Sequence, residues 1–131
     1  MAKQVSVSSD EGFASTASIG SDTVSIDPTG ETAPDTIEHL LGTYAACYVP
    51  ALRVGAEQRN VGDLGSITID VSGALNDDDK LDGIEFDVTV DTALEDDEIA
   101  SVVERANELC KVHDALKTSL YATVTVNGHQ V

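Results

Sequence analysis

The sequence predicts an α+β protein, and three observations support this class. The 131 residues suit one domain of ordinary size. Short stretches that alternate apolar and polar residues, as strands do, lie near both ends and in the middle of the chain. Two longer stretches have helical periodicity. Because strands and helices do not alternate regularly, we expect an α+β fold in which residues 1–131 form a single domain.

The N-terminal region predicts a meander of short strands over residues 3–28. Val5 and Val7 alternate with polar neighbours, Phe13 to Ile19 alternates again, and Val24 to Ile26 follows. Turn-forming residues separate these segments. We therefore expect a small antiparallel sheet before the first helix.

The first helix is predicted from Asp35 to about Glu57. Thr32 is the expected cap, and Pro34 falls in the first turn, where its missing N–H is not needed. Apolar residues occupy most of the circumference, which is typical of a buried central helix. Pro50 predicts a kink beside Cys47. The small residues that permit another helix to approach closely are Gly42, Ala45 and Ala46.

The second half of the chain predicts two strands, a helix, a short helix and a final strand. The strands alternate with period two, and the helix carries an apolar stripe on one face. Because the chain has no Trp, 3 Tyr and 2 Phe, we expect an aliphatic core. In chain order these elements are predicted at 64–74, 83–92, 96–110, 113–118 and 121–126.

The formal net charge of −17 comes from 24 acidic and 7 basic residues. Such a surface repels nucleic acid and anionic membranes, which bind Lys and Arg. The acidic residues are interleaved with periodic apolar ones, so a folded domain fits better than disorder. An acidic surface of this kind resembles that of proteins from organisms that accumulate molar salt, where charges are screened within about 3 Å.

The N-terminal residues lack the charged segment and apolar run of a signal peptide. No stretch approaches the roughly 20 apolar residues that span a bilayer. We therefore expect a cytoplasmic protein, in which two cysteines are redox-active or metal-binding more often than structural.

Cys47 and Cys110 are the candidate reactive residues, since a reactive thiolate needs a positive or hydrogen-bonding neighbour. His39 lies on the same face of the first helix as Cys47, two turns earlier. His113 follows Cys110 by three residues and could share its face. Each histidine is thus a candidate thiolate partner. The alternative is that Cys47 only packs in the core and that both histidines are partly exposed polar residues.

A metal site is a second chemical interpretation. Cys110 and His113 form a Cys-x-x-His pair, which Cys47 and either Glu38 or His39 could complete to a tetrahedral set. The paired Cys-x-x-Cys spacing of zinc sites is absent, so we expect no metal. No phosphate loop, dinucleotide fingerprint or Gly-x-Ser-x-Gly elbow is present, and we expect no cofactor.

Two cysteine-containing segments resemble the motifs of the OsmC/Ohr family, the osmotically inducible and organic hydroperoxide resistance proteins. Thr36–Cys47, with the sequence TIEHLLGTYAAC, is similar to the helix that leads to the first cysteine of the family. Ala106–Leu116, with the sequence ANELCKVHDAL, is similar to the second motif, which is built around Cys-Pro-Val-Ser. The order of the elements also agrees, and the chain looks like a haloarchaeal member.

The resemblance implies an intertwined homodimer with two long central helices wrapped by antiparallel β-sheets. It implies that Cys47 attacks an organic hydroperoxide and becomes a sulfenic acid, and that Cys110 resolves it as a disulfide. A dithiol such as a lipoyl group, or a small thiol, would regenerate the enzyme. Glu38, His39 and His113 are possible partners of the thiolate.

The chain also departs from the family pattern at three places. Family peroxidases commonly place an N-terminal Arg beside the reactive thiol, whereas this chain has no Arg before Arg53. Arg59 or an Arg of a partner chain could serve instead. Lys111 and His113 occupy the positions where Pro and Ser are usual. Thr36 and Ile37 occupy those where Pro and Glu are common. The alternative function is therefore a non-enzymatic member that senses redox state or binds an apolar ligand.

Overall fold

The computed structural model describes all 131 residues and divides them into two compact units, Met1–Leu40 and Leu41–Val131. The boundary falls inside the first helix, so the assignment of 1–131 to a single domain stays a prediction. None of the helices combines the length and the apolar character that crossing a membrane would require.

The N-terminal unit contains a three-stranded antiparallel sheet. Its strands are β1 (Ser6–Ser8), β2 (Ser15–Ile19) and β3 (Asp22–Ile26), paired in chain order. The predicted meander is thus confirmed. Ala17 of β2 is its buried apolar side chain, and most other residues of the unit are exposed.

The loop after β3 is organised around the carboxylate of Asp27, which is only 4% exposed. It accepts hydrogen bonds from the backbone N–H and hydroxyl of Thr29, at 2.9 and 2.7 Å, and from those of Thr32, at 3.0 and 2.8 Å. These donors satisfy a carboxylate that would otherwise be costly to bury.

The first helix, α1, extends over Thr36–Gln58, close to the predicted range. The prediction that Thr32 caps it was wrong, because the N–H and hydroxyl of Thr32 are both used by Asp27. Asp35 is the cap instead. Its carboxylate accepts from the N–H of Glu38 at 2.7 Å, and the Glu38 carboxylate accepts from the N–H of Asp35 at 3.0 Å, which forms a capping box.

The C-terminal unit adds a four-stranded sheet and two further helices, and the α+β prediction is confirmed. The sheet order is β4-β5-β6-β7, with β5 and β6 parallel and the other pairs antiparallel. The very short last strand was not predicted. The elements are β4 (Ile67–Leu75), β5 (Leu81–Val90), α2 (Asp96–Leu109), α3 (Lys111–Ala115), a 3₁₀ turn (Thr118–Leu120), β6 (Thr123–Val126) and β7 (His129–Gln130).

Side chains from α1, α2 and one face of the sheet form a single core cluster. The expectation of an aliphatic core was wrong at its centre. Tyr44, Tyr48 and Phe86 are its largest fully buried side chains, and the Phe86 ring lies 4.6 Å from that of Tyr44 and 5.1 Å from that of Tyr48. Three of the five Tyr and Phe residues thus lie together where α1 meets β5.

Gly55 marks the close approach of α1 to α2. A Cβ at this position would lie 3.1 Å from the carbonyl oxygen of Val102 and 3.4 Å from the amide nitrogen of Ala106. The predicted small residue Gly42 has no neighbour within 4 Å of such a Cβ. The close contact between α1 and α2 therefore lies at Gly55, more than three turns of helix beyond Gly42.

Candidate thiol site

The two cysteines are brought together in the C-terminal unit. Cys47 lies in α1 and is partly exposed, whereas Cys110 lies between α2 and α3 and is 1% exposed. Both are free thiols, and each sulfur acts on the pKa of the other through a direct side-chain interaction. Residues 63 positions apart in the sequence thus form one thiol pair.

Two tyrosine hydrogen bonds lie on either side of this pair. The Tyr44 hydroxyl lies 2.7 Å from Nδ1 of His113, and the Tyr48 hydroxyl donates to Oδ1 of Asn107 at 2.8 Å. Tyr44 pairs with the later residue, His113, and Tyr48 pairs with the earlier one, Asn107. The helix α1 and the segment 107–113 therefore run antiparallel at this point. The bonds fix the register that places Cys47 opposite Cys110.

The surroundings of Cys47 lower its pKa. Burial alone would raise the pKa of this thiol, but the backbone N–H of Val112, the Cys110 thiol and the N–H and charge of Lys111 outweigh it. Donors and a positive charge stabilise a thiolate more than a thiol. Cys47 therefore combines access to solvent with a stabilised anionic form.

The surroundings of Cys110 have the opposite effect. Burial raises the pKa of Cys110 to about 11, the interaction with Cys47 adds to the rise, and the N–H groups of His113 and Val112 reduce it. Cys110 is therefore protonated near neutral pH. The two thiols differ in their access to solvent and in the direction of their pKa shifts.

The buried ring of His113 belongs to a hydrogen-bonded network with Tyr44. The Tyr44 hydroxyl accepts from the N–H of Ala122 at 3.1 Å, which leaves its proton for Nδ1 of His113. Burial lowers the pKa of His113, so its ring is the neutral acceptor in this bond. The ring also stacks on Tyr121 at 3.9 Å. The side chain of His113 thus faces two tyrosines, while its backbone N–H acts on Cys110.

Two other predicted thiolate partners, Glu38 and His39, belong to the N-terminal unit, and both have partners there. Glu38 caps the start of α1 by bonding to Asp35. Nε2 of His39 donates to the carbonyl oxygen of Ser25 at 3.2 Å. Their role toward a thiolate stays a prediction.

All three arginines of the chain are bonded to groups other than the thiols. Arg53 donates to the carbonyl oxygen of Gly65 at 2.7 Å. Arg59 forms an ion pair with Glu104 at 2.9 Å, and Arg105 forms one with Glu108 at 2.8 Å. Of the positive side chains in this chain, Lys111 is the one whose charge acts on Cys47.

The structure contains no group of three or more His, Cys, Asp and Glu side chains that could hold a metal ion. The ring nitrogen Nδ1 of His113 is already bonded to Tyr44. The tetrahedral set considered from the sequence is therefore not assembled in this chain.

Sequence reasoning missed Tyr44, Tyr48 and Asn107 as parts of the site. One signal was available, because two tyrosines stand on an otherwise apolar helix and a buried tyrosine hydroxyl needs a partner. Nothing in the spacing identified the partners, which lie 69 and 59 residues further along the chain.

Comparison with known proteins identifies the family. The sequence model of the family described as OsmC-like protein matches residues 28–125. An uncharacterized protein of Haloferax volcanii is 46% identical over 125 residues, 95% of each chain. An OsmC like protein from Mycoplasma pneumoniae has a TM-score of 0.79 at 16% identity, over 97% of this chain and 95% of that one.

The organic hydroperoxide resistance protein OhrB of Bacillus subtilis is a further similar structure. It has a TM-score of 0.71 at 20% identity, over 97% of this chain and 98% of that one. Both solved structures share the α+β architecture described above. The chain therefore belongs to the OsmC-like protein family and has the fold of that family.

Proposed function

We propose that this protein is a thiol-dependent hydroperoxide reductase that acts in defence against oxidative stress. The observation that carries the proposal is the contact between a partly exposed Cys47, whose pKa is lowered, and a buried Cys110, whose pKa is raised. Similar structures from Bacillus subtilis and Legionella pneumophila are named organic hydroperoxide resistance proteins, which supports the substrate class.

In the first step the Cys47 thiolate attacks the distal oxygen of an organic hydroperoxide. The O–O bond breaks, a sulfenic acid forms on Cys47, and the alkoxide leaves as the alcohol after taking up a proton. The donors that stabilise the thiolate are the N–H groups of Lys111 and Val112.

In the second step Cys110 attacks the sulfur of the Cys47 sulfenic acid. A disulfide forms, and the hydroxyl group leaves as water with the proton of the Cys110 thiol. An external dithiol, such as a lipoyl group, or a small thiol then reduces the disulfide and is itself oxidised to a disulfide. The cycle needs both cysteines reduced at the start, which agrees with a cytoplasmic location.

We further propose that the protein acts as a homodimer through the exposed side of α1. Several small or apolar residues of this central helix are exposed in the single chain, and a second copy would cover them. They are Gly42, Ala46, Pro50 and Val54. Light scattering after size-exclusion chromatography should give twice the mass of one chain.

The test of the function is consumption of cumene hydroperoxide with dihydrolipoamide as reductant. Wild-type protein should turn over many equivalents of peroxide. The Cys47→Ser variant should consume none above background. The Cys110→Ser variant should consume about one equivalent without a reductant, since it can form the sulfenic acid but not the disulfide.

Turnover by Cys47→Ser equal to that of wild-type protein would rule the proposal out. Each assay should be repeated at high salt, because a chain with a net charge of −17 gains stability from screening. A thermal melt of each variant shows that a loss of activity does not come from unfolding.

A second candidate function is a redox sensor or a protein that binds an apolar ligand. The observation that favours it is that all three arginines are bonded away from the thiol pair. Intact mass after mild peroxide treatment separates the candidates. A sensor forms the Cys47–Cys110 disulfide slowly and without turnover, and a ligand-binding protein does not form it.

A further inference from the structure

We propose that Tyr44, His113 and Tyr121 form a one-electron relay through which the protein reduces organic peroxyl radicals. The proposal rests on the proposed function only for the choice of substrate class, since a peroxyl radical that takes up one hydrogen atom becomes an organic hydroperoxide. The relay itself can be measured without any hydroperoxide.

The three tyrosines of the chain, which contains no Trp, lie in one aromatic cluster. The ring centroids of Tyr44 and Tyr48 are 6.4 Å apart, and those of Tyr44 and His113 are 6.0 Å apart. The rings of His113 and Tyr121 are stacked, with centroids 3.9 Å apart and planes inclined by 24°. Because tyrosine and tryptophan are the aromatic side chains that lose an electron most readily, every such side chain of this protein lies in the cluster.

The cluster extends from the core to the surface. The side chains of Tyr44 and Tyr48 are fully buried, whereas Tyr121 is 38% exposed. The His113 ring lies between Tyr44, to which it is bonded, and Tyr121, on which it stacks. Aromatic rings in contact pass an electron readily, so a radical formed at the exposed tyrosine has a short path to the buried one.

Hydrogen bonds distinguish Tyr44 from Tyr48. The Tyr44 hydroxyl lies 2.7 Å from Nδ1 of His113, and the bond it accepts from the N–H of Ala122 leaves its proton for that nitrogen. The Tyr48 hydroxyl donates to Oδ1 of Asn107 at 2.8 Å. A phenol that loses an electron becomes a strong acid, and an imidazole takes up the released proton whereas an amide oxygen does not. Tyr44 is therefore the buried tyrosine that is easier to oxidise.

His113 is prepared to receive that proton. Burial lowers the pKa of His113, so Nδ1 is unprotonated before the reaction. The oxidised phenol is acidic enough to protonate even a histidine whose pKa is lowered. The proton then moves along an existing hydrogen bond, and no side chain has to change its position.

The first step takes place at the surface. A peroxyl radical takes the hydrogen atom of the Tyr121 hydroxyl, so that the O–H bond of the tyrosine breaks and the O–H bond of a hydroperoxide forms. Tyr121 is left as a neutral tyrosyl radical. The product belongs to the substrate class of the proposed hydroperoxide reductase.

In the second step one electron moves from Tyr44 to the Tyr121 radical through the His113 ring. The Tyr44 proton passes to Nδ1 of His113, which becomes an imidazolium, and the Tyr121 phenolate takes up a proton from water. The radical now lies in the core. An external thiol returns one electron by the same path and releases its proton to water, His113 returns the proton to Tyr44, and two of the resulting thiyl radicals combine to a disulfide.

The test uses azide radicals, a small one-electron oxidant made by pulse radiolysis, on the full chain with Cys47→Ser and Cys110→Ser. These two substitutions remove the thiols that would compete for the oxidant. Electron paramagnetic resonance of rapidly frozen samples should show a tyrosyl radical that is hydrogen-bonded to a positive group. Tyr44→Phe should lose this signal, and Tyr121→Phe should form it severalfold more slowly in the time course of the tyrosyl absorbance.

Tyr48→Phe is the matched control, because it removes the other buried tyrosine of the same helix and should keep the signal. His113→Gln separates the proton transfer from the hydrogen bond, since glutamine accepts from Tyr44 but takes up no proton. It should lose the signal although a thermal melt shows it to be folded. This variant and Tyr121→Phe decide the matter if Tyr44→Phe does not fold.

A second measurement uses peroxyl radicals, which a water-soluble azo initiator releases in air. The chain with both cysteines replaced should delay the bleaching of a fluorescent dye for longer than the same chain with Tyr121→Phe. An unchanged radical signal in Tyr44→Phe or in His113→Gln would overturn the relay, as would an equal loss in Tyr48→Phe. Equal protection of the dye with and without Tyr121 would overturn the activity toward peroxyl radicals. None of these results depends on hydroperoxide turnover, so the relay and the proposed reductase fail separately.

Discussion

Two parts of the molecule bury titratable side chains, the loop after β3 and the junction between α2 and α3. In the loop, Asp27 keeps its charge. Hydrogen bonds from Thr29 and Thr32 hold the pKa of its carboxyl far below the usual range, against the small opposing effect of burial. All four donors belong to residues within five positions of Asp27, so this site is a local structure.

At the junction, most buried groups are kept neutral instead. Burial raises the pKa of Cys110, Tyr44 and Tyr48, and it lowers that of His113. Their hydrogen bonds join residues that are distant in sequence. These groups therefore hold segments together without carrying charge.

Cys47 lies in α1, opposite this junction, and its surroundings favour the charged form, as those of Asp27 do. It receives backbone N–H groups that favour its anion, and it is less buried than Cys110. The comparison shows that burial alone does not determine ionisation in this protein. The balance between burial and the groups that face a side chain sets the direction of its pKa shift, and this balance differs between the two cysteines.

The largest effect should come from removing the Tyr44 hydroxyl. Tyr44→Phe leaves the N–H of Ala122 and Nδ1 of His113 without their partner. Because a buried unpaired polar group costs its desolvation free energy, the free energy of unfolding should fall by about 1–3 kcal/mol. Urea denaturation followed by circular dichroism measures this.

Tyr48→Phe is the matched control on the same helix. It removes one hydrogen bond, to an Asn107 side chain that is only half-buried and can bind water. The expected loss is about 1 kcal/mol or less. If Tyr48→Phe proved the more destabilising variant, the view that the Tyr44 network holds the junction together would be wrong.

The helices, the longer strands and the cysteine pair were predictable because each leaves a local trace. Periodicity marks α1, α2, β4 and β5, and the two motifs mark the cysteines. Short elements leave little trace. The two residues of β7 are fixed by pairing with β6, and a run of two cannot show alternation.

The cap of α1 and the partners of the site residues were not predictable for a different reason. Thr32 and Asp35 are both good caps by type. The choice is made by Asp27, which uses both donors of Thr32. The partners of Tyr44 depend likewise on how distant segments pack, and the sequence spacing carries no record of that.

The second largest effect should be a loss of stability of the Asp27 loop at acid pH. An unfolded aspartate titrates near 3.9. Because the folded carboxyl has a lowered pKa, its contribution to stability is full above that value and is lost as the pH falls toward the folded pKa. The amide resonances of Thr29 and Thr32 should therefore keep their positions while exposed carboxylates titrate.

Asp27→Asn is the control for this loop. The amide retains one acceptor oxygen and has no charge, so the loop should exchange its amide hydrogens faster at neutral pH and lose its dependence on acid pH. Movement of the Thr29 and Thr32 resonances in wild-type protein near pH 4, an ordinary carboxyl value, would contradict the buried charge.

The smallest effect should appear at the junction as the pH falls below about 6.5, where an unfolded histidine titrates. Because burial lowers the pKa of His113, the unfolded chain binds this proton first, and stability should decline as the pH falls through that range. The glutamine of His113→Gln can still accept the hydrogen bond of the Tyr44 hydroxyl but does not titrate. This variant should therefore lose the part of the pH dependence of stability that His113 causes. His39→Gln is the matched control, since His39 bonds to Ser25 outside the junction. The measurement is the denaturation midpoint of each protein at several pH values. If the midpoint of His113→Gln depends on pH as that of wild-type protein does, burial does not keep the His113 ring neutral.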